Sequence, residues 1–173
     1  MLSERELDRY TTTVAASRDS FLAGRMLLRT LAGDLTGTDP QRVPLEAVCP
    51  DCGGPHGQPI VRDSDLRLSL SHAGDTVVVA ASWDAAVGID VERSEQPAGR
   101  MDAVRTIAGS GSVRHWTRVE AVLKADGRGL RVDPAMVEID EQLIAQVSDR
   151  PARYSLSEVD LDDDLTVSVA VAV

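Results

Sequence analysis

Lysine, cysteine and long apolar runs are scarce in this chain of 173 residues. No stretch approaches the roughly 20 consecutive apolar residues that a membrane-spanning helix requires. The first five residues, Met-Leu-Ser-Glu-Arg, contain neither the basic region nor the apolar region of a signal peptide. We therefore expect a cytoplasmic protein with no membrane partner.

The charge balance is strongly acidic. The chain has 28 Asp and Glu residues against 18 Lys and Arg residues, which gives a formal net charge of −10 at pH 7. Because polyanions repel such a chain, we expect neither nucleic acid nor an anionic membrane as its main partner. Hydrophobic residues make up 43% of the sequence, so the chain is globular and long enough for one domain or two small halves.

Lys124 is the single lysine, and every other basic residue apart from the histidines is arginine. An ammonium group is a compact point charge with rotatable donors, which suits contact with one phosphate oxygen or the transfer of a proton. We therefore regard Lys124 as a candidate functional residue.

The two cysteines, Cys49 and Cys52, form a Cys-x-x-Cys…His pattern with His56 in a loop rich in glycine and proline. A structural zinc site needs four ligands, and this loop offers two or three. Reduced cysteines are therefore the expectation, and a zinc-binding interaction protein is an alternative interpretation.

Hydrophobic spacing predicts two longer helices, over residues 18–32 with Gly33 as the stop, and from Ser112 to about residue 125. Each helix precedes a predicted hairpin, and the two hairpins, at 67–80 and 153–170, have similar sequences. We interpret this as an internal repeat of two α+β halves, residues 1–84 and 85–173. Ligands usually lie in a cleft between such halves, and a repeat within one chain makes a monomer sufficient.

Asp90 and Glu92 lie in a short apolar stretch, residues 87–92, that reads as a strand. Side chains alternate along a strand, so the two carboxylates share one face about 7 Å apart. They repel each other unless a cation lies between them, and Mg²⁺ prefers oxygen ligands. The alternative is an acidic solvent face on an edge strand.

A second group of candidates lies on the predicted helix that follows Ser112. Trp116, Glu120 and Lys124 recur at i, i+4 and i+8 and form one stripe. A lysine there can take charge from a departing phosphate, whereas Glu120 and Lys124 alone would read as a surface ion pair. In the first half, Ser71 and His72 end a strand, where a hydroxyl and an imidazole can hold a phosphate.

Three motifs, in order, resemble the 4′-phosphopantetheinyl transferase superfamily. They are Ser-Leu-Ser-His at 69–72, Gly-Ile-Asp-Val-Glu at 88–92, and Trp-x-x-x-Glu-Ala-x-x-Lys-x-x-Gly at 116–127. The chain is most similar to the monomeric, two-half type that activates polyketide and non-ribosomal peptide synthetases. The resemblance covers most of the chain, from residue 18 to residue 172.

This resemblance implies a fold and a reaction. The fold is an α+β pseudo-dimer of two similar α/β halves with the active site at their interface. The reaction transfers the 4′-phosphopantetheine arm of coenzyme A to a serine of an apo acyl or peptidyl carrier protein and releases adenosine 3′,5′-bisphosphate. The first half would supply coenzyme A contacts and the second half the Mg²⁺ site.

The resemblance also implies roles for individual residues. The Mg²⁺ ligands would be Asp90, Glu92 and Glu120. The coenzyme A contacts would be Ser71, His72, Arg18, Arg25 and Lys124. Glu120 and Lys124 would be catalytic, and the base that activates the carrier serine is either Glu120 or a water on the metal.

Three positions depart from the family pattern. Many relatives have a lysine where Gln58 stands, an arginine where Ser20 stands, and a lysine where Val119 precedes the glutamate. These departures motivate an alternative, a catalytically weak relative that binds coenzyme A or a carrier without efficient transfer.

Overall fold

The computed structural model of the chain describes residues 2–97, 99, 102, 104–106 and 112–173. The chain divides into two compact units, Met1–Asp84 and Ala85–Val173. Each unit packs a helix against an antiparallel sheet, so the α+β class predicted from the sequence is confirmed. The pseudo-dimer, the site at its interface and the roles of the two halves stay predictions.

The first unit contains two helices and a four-stranded sheet. Its elements are α1 (Glu4–Thr12), α2 (Arg18–Thr36), β1 (Leu45–Ala47), β2 (Pro59–Val61), β3 (Arg67–Ala73) and β4 (Thr76–Ser82). The strands follow one another in the order β1-β2-β3-β4. Helix α2 packs on β3 and β4, and its Leu28 and Ala32 are fully buried against a core that includes Leu68.

Both helices of the first unit have defined ends. Ser3 and Glu6 form a capping box at α1, because the Ser3 hydroxyl accepts the Glu6 N–H and the Glu6 carboxylate accepts the Ser3 N–H. The prediction that α2 stops at Gly33 is wrong. Gly33 is buried inside the helix, where a Cβ would lie 2.6 Å from the Thr38 carbonyl oxygen, and α2 ends at Gly37 with φ +68°.

The second unit contains a helix of 13 residues and a five-stranded sheet. Its elements are β5 (Val87–Arg93), α3 (Val113–Ala125), β6 (Val137–Ile139), β7 (Ile144–Val147), β8 (Arg153–Glu158) and β9 (Leu165–Ala172). The strand order is β5-β9-β8-β7-β6, and β5 pairs with β9 along its whole length.

Helix α3 lies on β5 and β9 and begins where the sequence predicts, because the Ser112 hydroxyl accepts the His115 N–H. Val119, Val122 and Leu123 are fully buried on the side of the helix that faces the sheet. Inside this layer the hydroxyls of Thr117 and Ser168 lie 2.8 Å apart and satisfy each other.

The sequence analysis predicts neither β2 nor β7. The two strands have three and four residues, too few to show an alternating pattern. In the part of the chain that the structure describes, no helix has the length and apolarity needed to cross a membrane.

Candidate active site

The second unit brings strand β5 and helix α3 unusually close together at Gly88. A Cβ at this position would lie 1.9 Å from the Ala121 carbonyl oxygen and 2.6 Å from the Ala125 nitrogen. Both are backbone atoms, so a side chain here would force the strand and the helix apart. Glycine at 88 and alanine at 121 and 125 therefore set the distance at which α3 presents its polar stripe to β5.

Lys124 and Asp90 form an ion pair across this contact. The Lys124 Nζ lies 2.6 Å from Asp90 Oδ1 and also donates to the Ile89 carbonyl oxygen at 3.1 Å. Asp90 is only 5% exposed, so the acidic solvent face that the sequence allowed is ruled out for this residue. The single lysine of the chain thus lies beside a buried carboxylate.

Glu120 and Glu92 belong to the same cluster. Burial raises the pKa of Glu120, and the carboxylates of Asp90 and Glu92 raise it as well, against the opposing effect of Lys124. Glu92 is half-buried at the end of β5. Asp90, Glu92 and Lys124 therefore each act electrostatically on Glu120, and Lys124 also pairs with Asp90.

We call Asp90, Glu92, Glu120 and Lys124 the acid cluster. Its three carboxylates exceed its one ammonium group in charge, and its oxygen donors are those that a hard cation such as Mg²⁺ prefers. Burial is the largest cause of the raised pKa of Glu120, and the neighbouring carboxylates add to it. The donor set therefore fits Mg²⁺.

Two contacts of the acid cluster were not predicted from the sequence. The Gln96 side chain donates to Glu92 Oε2 at 3.1 Å and to the Arg93 carbonyl oxygen at 3.0 Å. The Ile89 carbonyl oxygen holds Lys124. The only sequence signal for the contact between Gln96 and Glu92 is their spacing of four residues. Gln96 lies beyond the end of β5, where strand alternation no longer applies. A backbone acceptor gives no sequence signal.

In the first unit the two predicted coenzyme A arginines have partners within the protein. Arg18 lies over the Tyr10 ring, 5.3 Å from its centroid, and donates to the carbonyl oxygens of Thr11 and Thr13. Arg25 lies 5.1 Å from the Phe21 ring centroid, and its Nε is 3.6 Å from Glu6 Oε1. Their role toward coenzyme A stays a prediction.

Ser71 and His72 are consecutive residues of β3, so their side chains face opposite sides of the sheet. Ser71 is buried and His72 is exposed. His72 shares its face with Leu68 and Leu70, the face on which α2 packs. The structure gives no test of their predicted contact with coenzyme A phosphates.

The three departures from the family pattern have defined surroundings. The Gln58 side chain donates to the Leu68 carbonyl oxygen at 3.4 Å, and the Ser20 hydroxyl donates to the Gly74 carbonyl oxygen at 3.3 Å. Val119, a residue of α3, is fully buried. Gln58 and Ser20 therefore link backbone segments of the first unit, and Val119 fills the core of the second.

A buried ion pair in the first unit also escaped the sequence analysis. Glu6 accepts two hydrogen bonds from Arg29, at 3.0 Å and 2.6 Å, and both residues are buried. The pair joins α1 to α2 across 23 positions of sequence. Its carboxylate is already matched by arginine, so we assign it a structural role.

Two known proteins are similar to this chain over most of its length. No family model matches the chain. A phosphopantetheinyl transferase from Thraustochytrium sp. is 29% identical over 190 aligned positions, which cover 89% of this chain. The 4′-phosphopantetheinyl transferase HetI from Nostoc sp. is 29% identical over 176 positions, or 90% of this chain. Both relatives bear the name of the 4′-phosphopantetheinyl transferase superfamily, so the chain is similar to this superfamily over most of its length.

The resemblance to this superfamily predicted from three motifs is thus confirmed. The chain spans 64% of the length of the Thraustochytrium relative and 71% of the length of HetI. The names of these two relatives describe transfer of phosphopantetheine.

Proposed function

We propose that this protein transfers the 4′-phosphopantetheine arm of coenzyme A to a serine of an apo acyl or peptidyl carrier protein. Adenosine 3′,5′-bisphosphate is the second product. The observation that carries the proposal is the acid cluster, in which three carboxylates and the only lysine of the chain meet where β5 contacts α3. Similarity to two phosphopantetheinyl transferases supports the same reaction.

The cluster has groups for each charge that the reaction develops. Asp90, Glu92 and Glu120 would hold Mg²⁺, which when bound neutralises phosphate charge and so eases attack on phosphorus. Lys124, which donates to Asp90 at 2.6 Å, would donate to a phosphate oxygen of coenzyme A and stabilise the departing phosphate. The ion pair with Asp90 keeps the lysine at the site when no phosphate is present.

The bond changes balance with these residues. The carrier serine oxygen attacks the β-phosphate of coenzyme A, and the bond from that phosphorus to the bridging oxygen of the diphosphate breaks. The serine proton passes to a base, and the electron pair leaves with the adenosine bisphosphate. The base is either Glu120 or a water held by the metal.

Intact mass of a panel of apo-carrier proteins tests the proposal. Each carrier is incubated with the full chain, coenzyme A and Mg²⁺, alongside EDTA, Glu120→Ala and Glu141→Ala. Glu141 is an exposed glutamate between β6 and β7 and serves as the matched control. We expect a phosphopantetheine mass gain with wild type and Glu141→Ala, with a loss in rate of at least about 10²-fold for Glu120→Ala. Gain that persists with EDTA and Glu120→Ala would contradict the proposal.

A second candidate is a relative that binds coenzyme A but transfers its arm poorly. It rests on Gln58 and Ser20, neutral residues whose side chains bond backbone carbonyls where many relatives carry a cation. Binding of coenzyme A without mass gain on any carrier would support it. A double variant, Gln58→Lys with Ser20→Arg, would then gain transfer if the missing cations are the cause. The predicted location, oligomeric state and pathway stay predictions.

A further inference from the structure

The loop that joins β1 to β2 carries three side chains suited to bind a metal. Residues 45–47 pair with residues 59–61, so the loop covers residues 48–58. The sulfurs of Cys49 and Cys52 and a ring nitrogen of His56 all lie within 4.8 Å of one another. Cys52 Sγ and His56 Nε2 are 3.1 Å apart. This cluster lies in the first unit and shares no residue with the acid cluster.

The backbone of the loop is folded around these three side chains. The Cys49 N–H donates to the Gly54 carbonyl oxygen at 2.8 Å, and the Gly53 N–H donates to the Cys49 carbonyl oxygen at 2.9 Å. Gly53 has φ +69°, a conformation that favours glycine. A Cβ on Gly54 would lie 3.1 Å from Cys52 Sγ and 3.0 Å from the His56 ring, so glycine leaves the room in which thiol and imidazole converge.

Apolar packing does not explain this folded loop. Cys49 is buried, but Asp51, Cys52, His56 and Gln58 are exposed. Ordering a loop costs conformational entropy, and here little buried apolar surface offsets that cost. A metal ion bound by Cys49, Cys52 and His56 would offset this entropy cost, because metal binding free energy becomes folding free energy.

We propose that Cys49, Cys52 and His56 bind one zinc ion. A tetrahedral zinc with Zn–S bonds of about 2.3 Å and Zn–N bonds of about 2.0 Å places its ligand atoms about 3.5 Å apart, a spacing this loop reaches with small side-chain shifts. Thiolate and imidazole donors select zinc over Mg²⁺, which requires oxygen ligands. Cys52 and His56 are exposed, so a water from solvent completes the four ligands.

A disulfide between the two cysteines accounts for the observations less well. Both cysteines are free in the structure. A disulfide would involve neither His56 nor the glycine that makes room for its ring. The zinc site uses all three side chains, and it stands independently of the proposed transferase activity.

Metal content of the full chain tests the inference. The protein is purified under reducing conditions without a polyhistidine tag, and zinc is counted by mass spectrometry of the elements. We expect one zinc per chain in wild type and at least a tenfold lower content in Cys52→Ser and His56→Ala. His115→Ala, which removes a histidine outside the loop, is the matched control and should retain the zinc.

Cobalt gives a second readout that does not depend on the metal acquired during expression. Co²⁺ added to metal-free, reduced wild type should produce the thiolate-to-cobalt charge-transfer absorption of a tetrahedral site, and Cys52→Ser should lose it. Absence of this absorption in reduced wild type would overturn the inference. A zinc content equal in wild type, Cys52→Ser and His56→Ala would overturn it too, since the zinc would then lie elsewhere.

Discussion

Each unit of this chain contains a buried acidic side chain with charged neighbours, Glu6 in the first and Asp90 in the second, and the two groups differ in how their charge is balanced. In the first unit one acid, Glu6, faces Arg29 through two hydrogen bonds and Arg25 at 3.6 Å. In the second unit three acids share one lysine, Lys124. The first group has an excess of positive charge and the second an excess of negative charge.

The pKa values of the two glutamates move in opposite directions for this reason. Burial alone raises the pKa of Glu6, but hydrogen bonds from Arg29 and Ser3 lower it overall. Burial raises the pKa of Glu120, and the Asp90 and Glu92 carboxylates add to that rise. Charge balance therefore separates a buried ion pair that holds the fold from a cluster that favours an added cation.

The largest effect on stability is expected at the Glu6–Arg29 pair. Glu6→Gln leaves Arg29 buried without its counter-charge, which should lower the free energy of unfolding by about 3–5 kcal/mol. Glu4→Gln, an exposed glutamate in the same first turn of α1, should change it by less than about 0.5 kcal/mol. Urea unfolding measures both. Equal effects of Glu6→Gln and Glu4→Gln would contradict the structural role of the Glu6–Arg29 pair.

At the acid cluster, loss of a carboxylate is expected to raise the free energy of unfolding instead of lowering it. Without divalent cations, Glu120→Gln removes one of three mutually repelling carboxylates and should raise the free energy of unfolding by roughly 0.5–2 kcal/mol. Urea unfolding in EDTA measures this, with Glu141→Gln as the exposed control. A loss of stability as large as that of Glu6→Gln would show that Glu120 is held as a structural residue.

The smallest effect is a pH dependence of the Glu6–Arg29 pair. The folded-state pKa of Glu6 lies below its ordinary value of 4.5, so its carboxylate stabilises the fold above pH 4.5. That contribution is lost as the pH falls through the folded-state pKa, by at most about 1.4 kcal/mol per pH unit. The stability difference between wild type and Glu6→Gln should therefore shrink below pH 4.5. A constant difference from pH 7 to pH 3 would contradict the assignment.

The acid cluster was predictable from sequence because its members follow local rules. Alternation along β5 and the stripe on α3 each select side chains by spacing. The remaining step, that the strand and helix meet, came from the family resemblance. Gly88 is the residue that permits the close contact, and its meaning appears only when the Ala121 carbonyl oxygen is seen next to it.

The Glu6–Arg29 pair was not predictable in the same way. Its partners are 23 residues apart on two helices, and their meeting depends on how α1 packs on α2. The prediction at Gly33 was wrong for a related reason, because a glycine can either end a helix or allow close packing. The Thr38 carbonyl oxygen, 2.6 Å from a Cβ built on Gly33, shows that this glycine allows close packing. Hydrophobic spacing and residue spacing along the sequence do not predict contacts between distant segments.

Binding of Mn²⁺ is the measurement that tests the central claim most directly. Mn²⁺ shares the preference of Mg²⁺ for oxygen ligands and is detected by electron paramagnetic resonance. With and without coenzyme A, the wild type and Glu141→Gln should bind one Mn²⁺ that Mg²⁺ displaces. Glu120→Gln should lower the affinity by about 10–100-fold. Equal affinity of Glu120→Gln and wild type would contradict the claim that the excess of acid in the second unit is a cation site.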